Sequence, residues 1–119
     1  MLFFDTYAMV EIIKGNESYA RFSELTIKTS VVNLAELYYV LLSKYGKQTA
    51  DNWYEKFNFD LITINSESVK KAAHFRFLNR KQNLSLIDCI GYVLALENGL
   101  KFLTGDKQFK DMKGVEFVK

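Results

Sequence analysis

The stretch "NLSLIDCIGYVLALENGLKFLTGD", residues 83–106, says more about the fold than any other part of the chain. Its middle is apolar on nearly every side of a helical wheel, which predicts a buried helix. Gly99 suits the end of that helix, and "KFLT" then predicts a strand that is followed by Asp106. Asp88 stands near the start of the apolar helix, where an unpaired charge would cost several kcal/mol. A carboxylate in that place therefore needs a partner or a function.

The same alternation of strand and helix continues through the rest of the chain. Apolar or β-branched segments predict further strands at "MLFF", "TIKTSVV", "DLITI" and "VEFV". Helices are predicted at "TYAMVEIIKG", from Asn33 through "LAELYYVLLSKYG", at "KQTADNWYEKF" and at "SESVKKAAHFRFLNRK", with short helical turns at "ESYARFSEL" and "DKQFKDM". Strands that alternate with helices predict an α/β sandwich with a mainly parallel sheet, and the length of 119 residues predicts one domain, 1–119.

Composition excludes several classes of protein. The 49% hydrophobic and 25% charged residues are typical of a globular chain, and the net charge of +2 neither demands nor excludes a nucleic-acid partner. No apolar run approaches the roughly 20 residues that span a bilayer, so no membrane partner is expected. Cys89 is the single cysteine and cannot form an internal disulfide. With no secretory signal in the sequence, this predicts a reducing, cytoplasmic setting.

Four carboxylates stand where sites form in parallel sheets, beyond the carboxyl ends of the strands. Asp5 follows the first strand and Asp106 follows "KFLT", so both should emerge at one edge of the sheet. Glu36 and Asp88 are each predicted in the first turn of an apolar helix. Small residues on the same side of the helix as Asp88, one and two turns on, are expected to leave space beside its carboxylate: Gly91 and Ala95.

Each carboxylate also has a purely structural alternative. Asn33-x-x-Glu36 and Ser85-x-x-Asp88 both resemble capping boxes, and the helix dipole favours acids in a first turn. Asp5 and Asp106 could each cap the helix that follows. The case for a site is that all four are predicted at one end of one sheet. Clustered carboxylates repel one another and need cations to stay ionised.

The donor set limits which cation that could be. One His and one Cys, far apart, offer no ligand set for a soft metal, and oxygen ligands favour Mg²⁺ or Mn²⁺. Such ions support in-line hydrolysis of phosphodiesters without a nucleophilic side chain, and no convincing Ser-His-Asp or Cys-His arrangement is present.

At this level of detail the chain resembles a PIN-domain ribonuclease of the VapC type, the toxin of a prokaryotic toxin–antitoxin pair. The resemblance covers essentially the full length and rests on the order Asp, Glu, Asp, Asp within these segments: "FFDTYAMVEII", "TSVVNLAELYYVL", "LSLIDCIGYVLALENGLKFLTGDKQF" and "VEFVK". It implies a PIN-like three-layer α/β/α sandwich. Cys89 and Gly91 replace alanines that are frequent in the family, with little consequence expected.

The resemblance also implies roles for individual residues. Asp5, Glu36, Asp88 and Asp106 would form the catalytic acidic site, in which Asp5, Asp88 and Asp106 bind Mg²⁺ (or Mn²⁺), and Glu36 binds a second ion or positions water. Thr6, Ser30, Asn33 and Thr104 would support these carboxylates. The substrate would be structured RNA, commonly tRNA or ribosomal RNA. The partners would be a second copy of the chain in a homodimer and a VapB-type antitoxin that blocks the cleft.

A basic surface offers candidate RNA contacts. The cations concerned are Lys70, Lys71, Arg76, Arg80, Lys81 and Lys107. Phe75 and Phe77, which lie between them, could stack on bases or belong to the core, and the cations could equally form a solvated helix face.

Two other enzymatic functions fit the sequence less well. A haloacid-dehalogenase-type phosphatase would use Asp5 as its nucleophile, but it needs a second Asp where Tyr7 stands. A receiver domain needs an acceptor Asp at the end of a central strand, and "DLITIN" ends with Asn65. A non-catalytic RNA-binding or protein-interaction module on the same fold remains open as the alternative.

Overall fold

Strands and helices alternate in the computed structural model, which describes all 119 residues. The strands are β1 Leu2–Phe4, β2 Ile27–Thr29, β3 Phe59–Leu61, β4 Lys101–Thr104 and β5 Val115–Phe117. The helices are α1 Thr6–Ile13, α2 Val31–Tyr45, α3 Lys47–Lys56, α4 Ser66–Leu78 and α5 Leu86–Glu97. Two short 3-10 turns cover Glu17–Phe22 and Lys107–Phe109. None of the helices is both long enough and apolar enough to cross a bilayer.

All of the strand pairings are parallel, and they form two ladders rather than one. β4 lies between β1 and β5, and β2 pairs with β3. The two ladders meet where β2 lies beside β1, and there the Thr29 hydroxyl donates to the carbonyl oxygen of Phe4 at 2.8 Å. The predicted α/β fold with a mainly parallel sheet is confirmed. Since β1 and β4 are parallel neighbours, their carboxyl ends meet at one edge.

The sheet is covered on both faces, as a three-layer sandwich requires. Successive residues of a strand point to opposite faces, so Phe3 and Phe4 enter different cores. Phe3 and Phe102 pack against α4 and α5. Phe4 and Leu103 pack against α1, α2 and α3. Burial on both faces explains why these strands are continuously apolar instead of alternating.

The start of α2 differs from the sequence prediction. "TSVV" was expected to continue a strand, and that is wrong, because the Ser30 hydroxyl accepts the backbone N–H of Asn33 at 3.2 Å and starts the helix at Val31. The predicted Asn33–Glu36 capping box is therefore also wrong, and Glu36 lies in the second turn. The other predicted box is confirmed, with Asp88 N–H donating to Ser85 Oγ at 3.0 Å and Ser85 N–H to Asp88 Oδ2 at 3.2 Å.

Gly91 brings α5 close to the sheet. A Cβ atom at this position would lie 3.1 Å from the Phe3 ring and 3.2 Å from the Phe102 ring. The expectation that Gly91 leaves open space beside Asp88 is therefore wrong. The missing side chain is used for close packing between helix and strand, which fixes the height of α5 above β1 and β4.

Candidate active site

Asp5 lies at the centre of the site and is almost fully buried, with 2% of its surface exposed. Its Oδ1 caps α1 by accepting the Thr6 N–H at 2.9 Å, and its Oδ2 accepts the Thr104 hydroxyl at 2.8 Å. The pKa of Asp5 is raised from 3.8 to about 8. Burial is the largest cause, and the charges of Asp88 and Glu36 add to it, whereas the hydrogen bonds from Thr104 and Thr6 lower the pKa. The folded protein thus holds a carboxylate that strongly resists ionisation without a cation.

Thr104 links two of the acids at the sheet edge. Besides donating to Asp5, its buried Oγ1 accepts the backbone N–H of Asp106 at 3.1 Å. Asp106 in turn caps the 3-10 turn after β4, because its Oδ1 accepts the N–H of Gln108 at 3.0 Å. A single hydroxyl therefore holds Asp5 and the start of the Asp106 turn together.

Asp88 combines a structural bond with a free oxygen. Its Oδ2 closes the capping box with Ser85, whereas Oδ1 makes no hydrogen bond. Burial raises the pKa of Asp88 above its ordinary value, and the charge of Asp106 adds to the effect. Capping and a functional role are therefore compatible, because each uses a different oxygen.

Glu36 approaches the same place from α2. Glu36 is half-buried, and this burial raises its pKa. A hydrogen bond with Thr6 works against the increase, whereas the charge of Asp88 adds to it. All four predicted acids line one groove, and their charges disfavour ionisation of one another, those of Asp88 and Glu36 acting on Asp5 and that of Asp106 on Asp88.

The predicted supporting residues form a buried chain of hydrogen bonds beside Asp5. The Ser30 hydroxyl donates to Asn33 Oδ1 at 2.6 Å, and Asn33 Nδ2 donates to Thr6 Oγ1 at 3.2 Å. All three side chains are buried, and they join the first turn of α2 to the first turn of α1. The orientation of Glu36 relative to Asp5 is thereby coupled to this polar network.

An open groove of about 410 Å³ unites these groups. Its lining consists of Asp5, Thr6, Tyr7, Val10, Glu11, Glu36, Val40, Lys44, Asp88 and Asp106. Sequence reasoning missed two charged members of this lining, Glu11 and Lys44. A signal for Lys44 was available, because it stands eight residues after Glu36 on the same face of one helix.

The donor set fits a hard divalent cation. All four acids offer only oxygen, and none of them forms an ion pair with a lysine or arginine. No three Asp, Glu, His or Cys side chains stand close enough together to ligate one ion in their present rotamers. Binding a cation therefore requires a rearrangement of these side chains, of which Glu36, Asp88 and Asp106 are only half-buried.

The predicted RNA-binding cations lie on α4, just after it and in the 3-10 turn that follows β4. Arg76 donates from Nε to the Leu84 carbonyl at 2.9 Å, next to the end of α5 that carries Asp88. Lys71 instead pairs with Glu97 at 2.9 Å, at the far end of α5, with Lys70 beside it. Arg80, Lys81 and Lys107 are exposed. RNA binding by these six residues stays a prediction, and the far pair is the less favourably placed.

The two phenylalanines of this segment behave differently. Phe75 packs on Tyr92 with ring centroids 4.9 Å apart, so it belongs to the core side of α4. Phe77 is 59% exposed, and the Arg80 guanidinium lies over its ring at 4.5 Å. Only Phe77 is free to stack on a base.

Gly105 is a third position that the sequence reasoning missed, and replacing it with alanine is expected to destabilise the fold. A Cβ here would lie 2.5 Å from the Val118 carbonyl oxygen and would overlap the Tyr7 ring. Overpacking of this kind costs about 1–3 kcal/mol, measurable by urea unfolding. Gly91→Ala is the matched comparison, since its Cβ meets only side-chain atoms, at 3.1 Å or more, and should cost less. Equal stability of Gly105→Ala and the wild type would contradict so close an approach of the Val118 backbone.

Comparison with known proteins gives a consistent result. The sequence model of the PIN domain family matches residues 2–115. VapC20 from Mycobacterium tuberculosis, described as a sarcin–ricin loop cleaving toxin, superposes with a TM-score of 0.84 at 15% identity, covering 100% of both chains. VapBC2 from Rickettsia felis, bound to a promoter DNA fragment, gives 0.78 at 19% identity and 100% coverage of both chains. A toxin–antitoxin complex from Klebsiella pneumoniae gives 0.75 at 19% identity, covering 98% of this chain and 96% of that one. No curated protein sequence matches the chain significantly.

Proposed function

Because the chain belongs to the PIN domain family, we propose that it is a divalent-metal-dependent endoribonuclease and the toxin of a VapBC-type pair. The observation that carries the proposal is the environment of Asp5. This carboxylate is buried beside Asp88 and Glu36 in a groove where no cationic side chain pairs with any of them. Such an arrangement is costly for stability alone, and it is useful if a cation and a phosphodiester enter the groove.

The proposed roles follow from the positions of the acids. Asp5, Asp88 and Asp106 would hold Mg²⁺ or Mn²⁺, with the free Oδ1 of Asp88 directed to this task. When bound, the ion supplies Lewis-acid stabilisation to a phosphodiester under in-line attack by water. Glu36, whose pKa burial raises, would orient that water and accept its proton. Thr104, Thr6, Asn33 and Ser30 would keep Asp5 and Glu36 in place.

The proposed partners extend this function. The substrate would be structured RNA such as tRNA or ribosomal RNA, and the activity would be cytoplasmic. A VapB-type antitoxin would cover the groove. A homodimer would bury apolar side chains that the monomer exposes on α2, namely Val31, Tyr39, Leu42 and Tyr45.

A non-catalytic module is the second candidate, and one observation favours it. The present rotamers bring no three potential ligands together, and Asp5 with a pKa of about 8 is largely protonated at neutral pH without a cation. A basic segment of a partner could then neutralise the groove in place of a metal ion.

Cleavage of total cellular RNA by the purified protein separates the two functions. We expect discrete cuts with Mg²⁺ or Mn²⁺, their loss in EDTA, and a rate at least about a hundredfold lower in Asp88→Asn. Glu97→Gln is the matched control, because it removes a carboxylate from the opposite end of the same helix. Cutting that survives both EDTA and Asp88→Asn would come from a contaminating nuclease. RNA binding without cutting under any metal would establish the module.

A further inference from the structure

Lys44 is the one basic side chain among the residues that line the acidic groove. It is exposed and takes no part in any ion pair of the structure. Glu11 stands on the same lining but forms its own ion pair with Lys14 at 3.2 Å. Lys44 acts on Glu11 without a direct contact, by helping to lower its pKa, so the Lys44 ammonium is available to a ligand that enters the groove.

The position of Lys44 along α2 fixes its distance from the acidic centre. Glu36, Val40 and Lys44 follow one another at intervals of four residues and so share one face of the helix. A rise of 1.5 Å per residue separates Glu36 from Lys44 by about 12 Å along the axis. The uncharged Val40 lies between them. A polyanion bound along α2 would extend from the acids past the apolar Val40 to the cationic Lys44.

We infer that Lys44 binds a backbone phosphate of the RNA, one or two nucleotides away from the phosphate that is cut. The inference rests on the proposed nuclease function and adds to it a second point of contact that sets the direction of the RNA strand across the groove. RNA is the ligand that suits this layout, because its charges repeat at regular intervals along one chain. A lysine ammonium binds phosphate as a point charge.

A contact away from the reacting phosphate affects binding more than chemistry. It exists both in the ground state and in the transition state, so its removal should raise KM and leave kcat nearly unchanged. Lys44→Gln is therefore expected to raise KM about three- to tenfold, with kcat within twofold of the wild type. Lys101→Gln is the matched control, because Lys101 is the first residue of β4 and lies at the amino ends of the strands, opposite the carboxyl ends where the acids stand.

A binding measurement separates this inference from the function on which it rests. Labelled RNA is titrated into Asp88→Asn, with and without Lys44→Gln, at several salt concentrations. Loss of one phosphate contact should weaken binding and lower the slope of log K against log salt by about one, while Lys101→Gln changes neither. If the wild type cleaves RNA but Lys44→Gln and Lys101→Gln bind it equally tightly, the inference about Lys44 is wrong and the proposed function stands. Absence of both cleavage and RNA binding overturns the proposed function and the inference together.

Substrates with one neutral linkage identify the phosphate concerned. A methylphosphonate is placed at successive positions on either side of the cut site, and cleavage is compared between wild type and Lys44→Gln. At one position the neutral linkage should slow the wild type and leave the variant unaffected, since both changes remove the same contact. If every position affects both proteins equally, or if the variant loses kcat with unchanged KM, Lys44 does not bind a neighbouring phosphate. A shifted unfolding midpoint in Lys44→Gln would show instead that it serves stability by balancing Glu11.

Discussion

Replacing Asp5 with asparagine is expected to lower the rate of RNA cleavage by about 10³-fold or more while the fold is retained. The asparagine Oδ1 can still accept the Thr6 N–H. Its Nδ2 can donate to Thr104 Oγ1, which reverses the direction of the present bond, so the buried side chain keeps both partners. What disappears is one negative charge at the point where the acids converge. Single-turnover cleavage of a defined RNA measures the loss, and circular dichroism checks the fold.

Glu116→Gln is a suitable control for this variant. Glu116 lies on β5, away from the groove lining, and the substitution likewise exchanges a carboxylate for an amide. It should retain full activity. If Asp5→Asn kept more than a tenth of the wild-type rate, Asp5 would not be a ligand or a catalytic group, and the groove would have to act through the three remaining acids.

The three aspartates of the acidic set were predictable from the sequence because each is tied to a strong local signal, whereas the local signal proposed for Glu36 was wrong. Asp5 and Asp106 follow short apolar strands, and the parallel pairing of β1 with β4 brings the ends of those strands together. Asp88 stands at the start of an apolar helix, so its charge was conspicuous. The layers were predictable too, because strands such as "LFF" and "KFLT" are apolar on both faces and must be covered on both.

The start of α2 and the roles of Gly105 and Lys44 depend on tertiary contacts that a single sequence does not reveal. Val31 and Val32 favour a strand by propensity. The helix start becomes visible only in the hydrogen bonds to Ser30, whose hydroxyl accepts the Asn33 N–H and whose carbonyl accepts the Leu34 N–H. Gly105 gives no local sign that Tyr7 and Val118 close in on it. Lys44 resembles any exposed lysine until the fold sets α2 along the groove. A residue whose role comes from a distant neighbour needs the structure to identify it.

The stability of the metal-free protein is expected to fall as the pH rises from about 5 to about 8. Asp5 has a pKa of about 8 in the folded state against 3.8 when exposed, so over this range the folded protein holds a proton that the unfolded chain has lost. The free energy of unfolding then falls by about 1.4 kcal/mol per pH unit for this group, on the order of 4 kcal/mol in all. Glu36 and Asp88, whose pKa values are also raised, act in the same direction.

The groups with lowered pKa values do not offset this trend. Burial works to raise the pKa of Glu11, but hydrogen bonds from Asn16 and Lys14 outweigh it. The pKa values of Asp51 and Glu97 are lowered chiefly by hydrogen bonds from Lys47 and Ser68. These three carboxyls contribute stability that is lost only as the pH falls below about 4.5. Burial raises the pKa of Cys89 to about 11, so this thiol affects the free energy of unfolding only above pH 8. Urea unfolding in EDTA between pH 5 and pH 8 therefore isolates the groove.

Mg²⁺ should reverse the loss of stability, because a cation that binds the ionised acids favours the folded state. The gain follows RT ln(1 + [L]/Kd), and it should be large at pH 8 and small at pH 5, where protons compete for the same oxygens. Asp5→Asn is the decisive comparison: in EDTA at pH 8 it should be more stable than the wild type, with a shallower dependence on pH and a weaker response to Mg²⁺. A wild type equally stable at pH 5 and pH 8 in EDTA would mean that Asp5 ionises freely in the fold. Burial and the neighbouring carboxylates would then not disfavour the charged form of Asp5, which removes the main electrostatic support for the proposed nuclease.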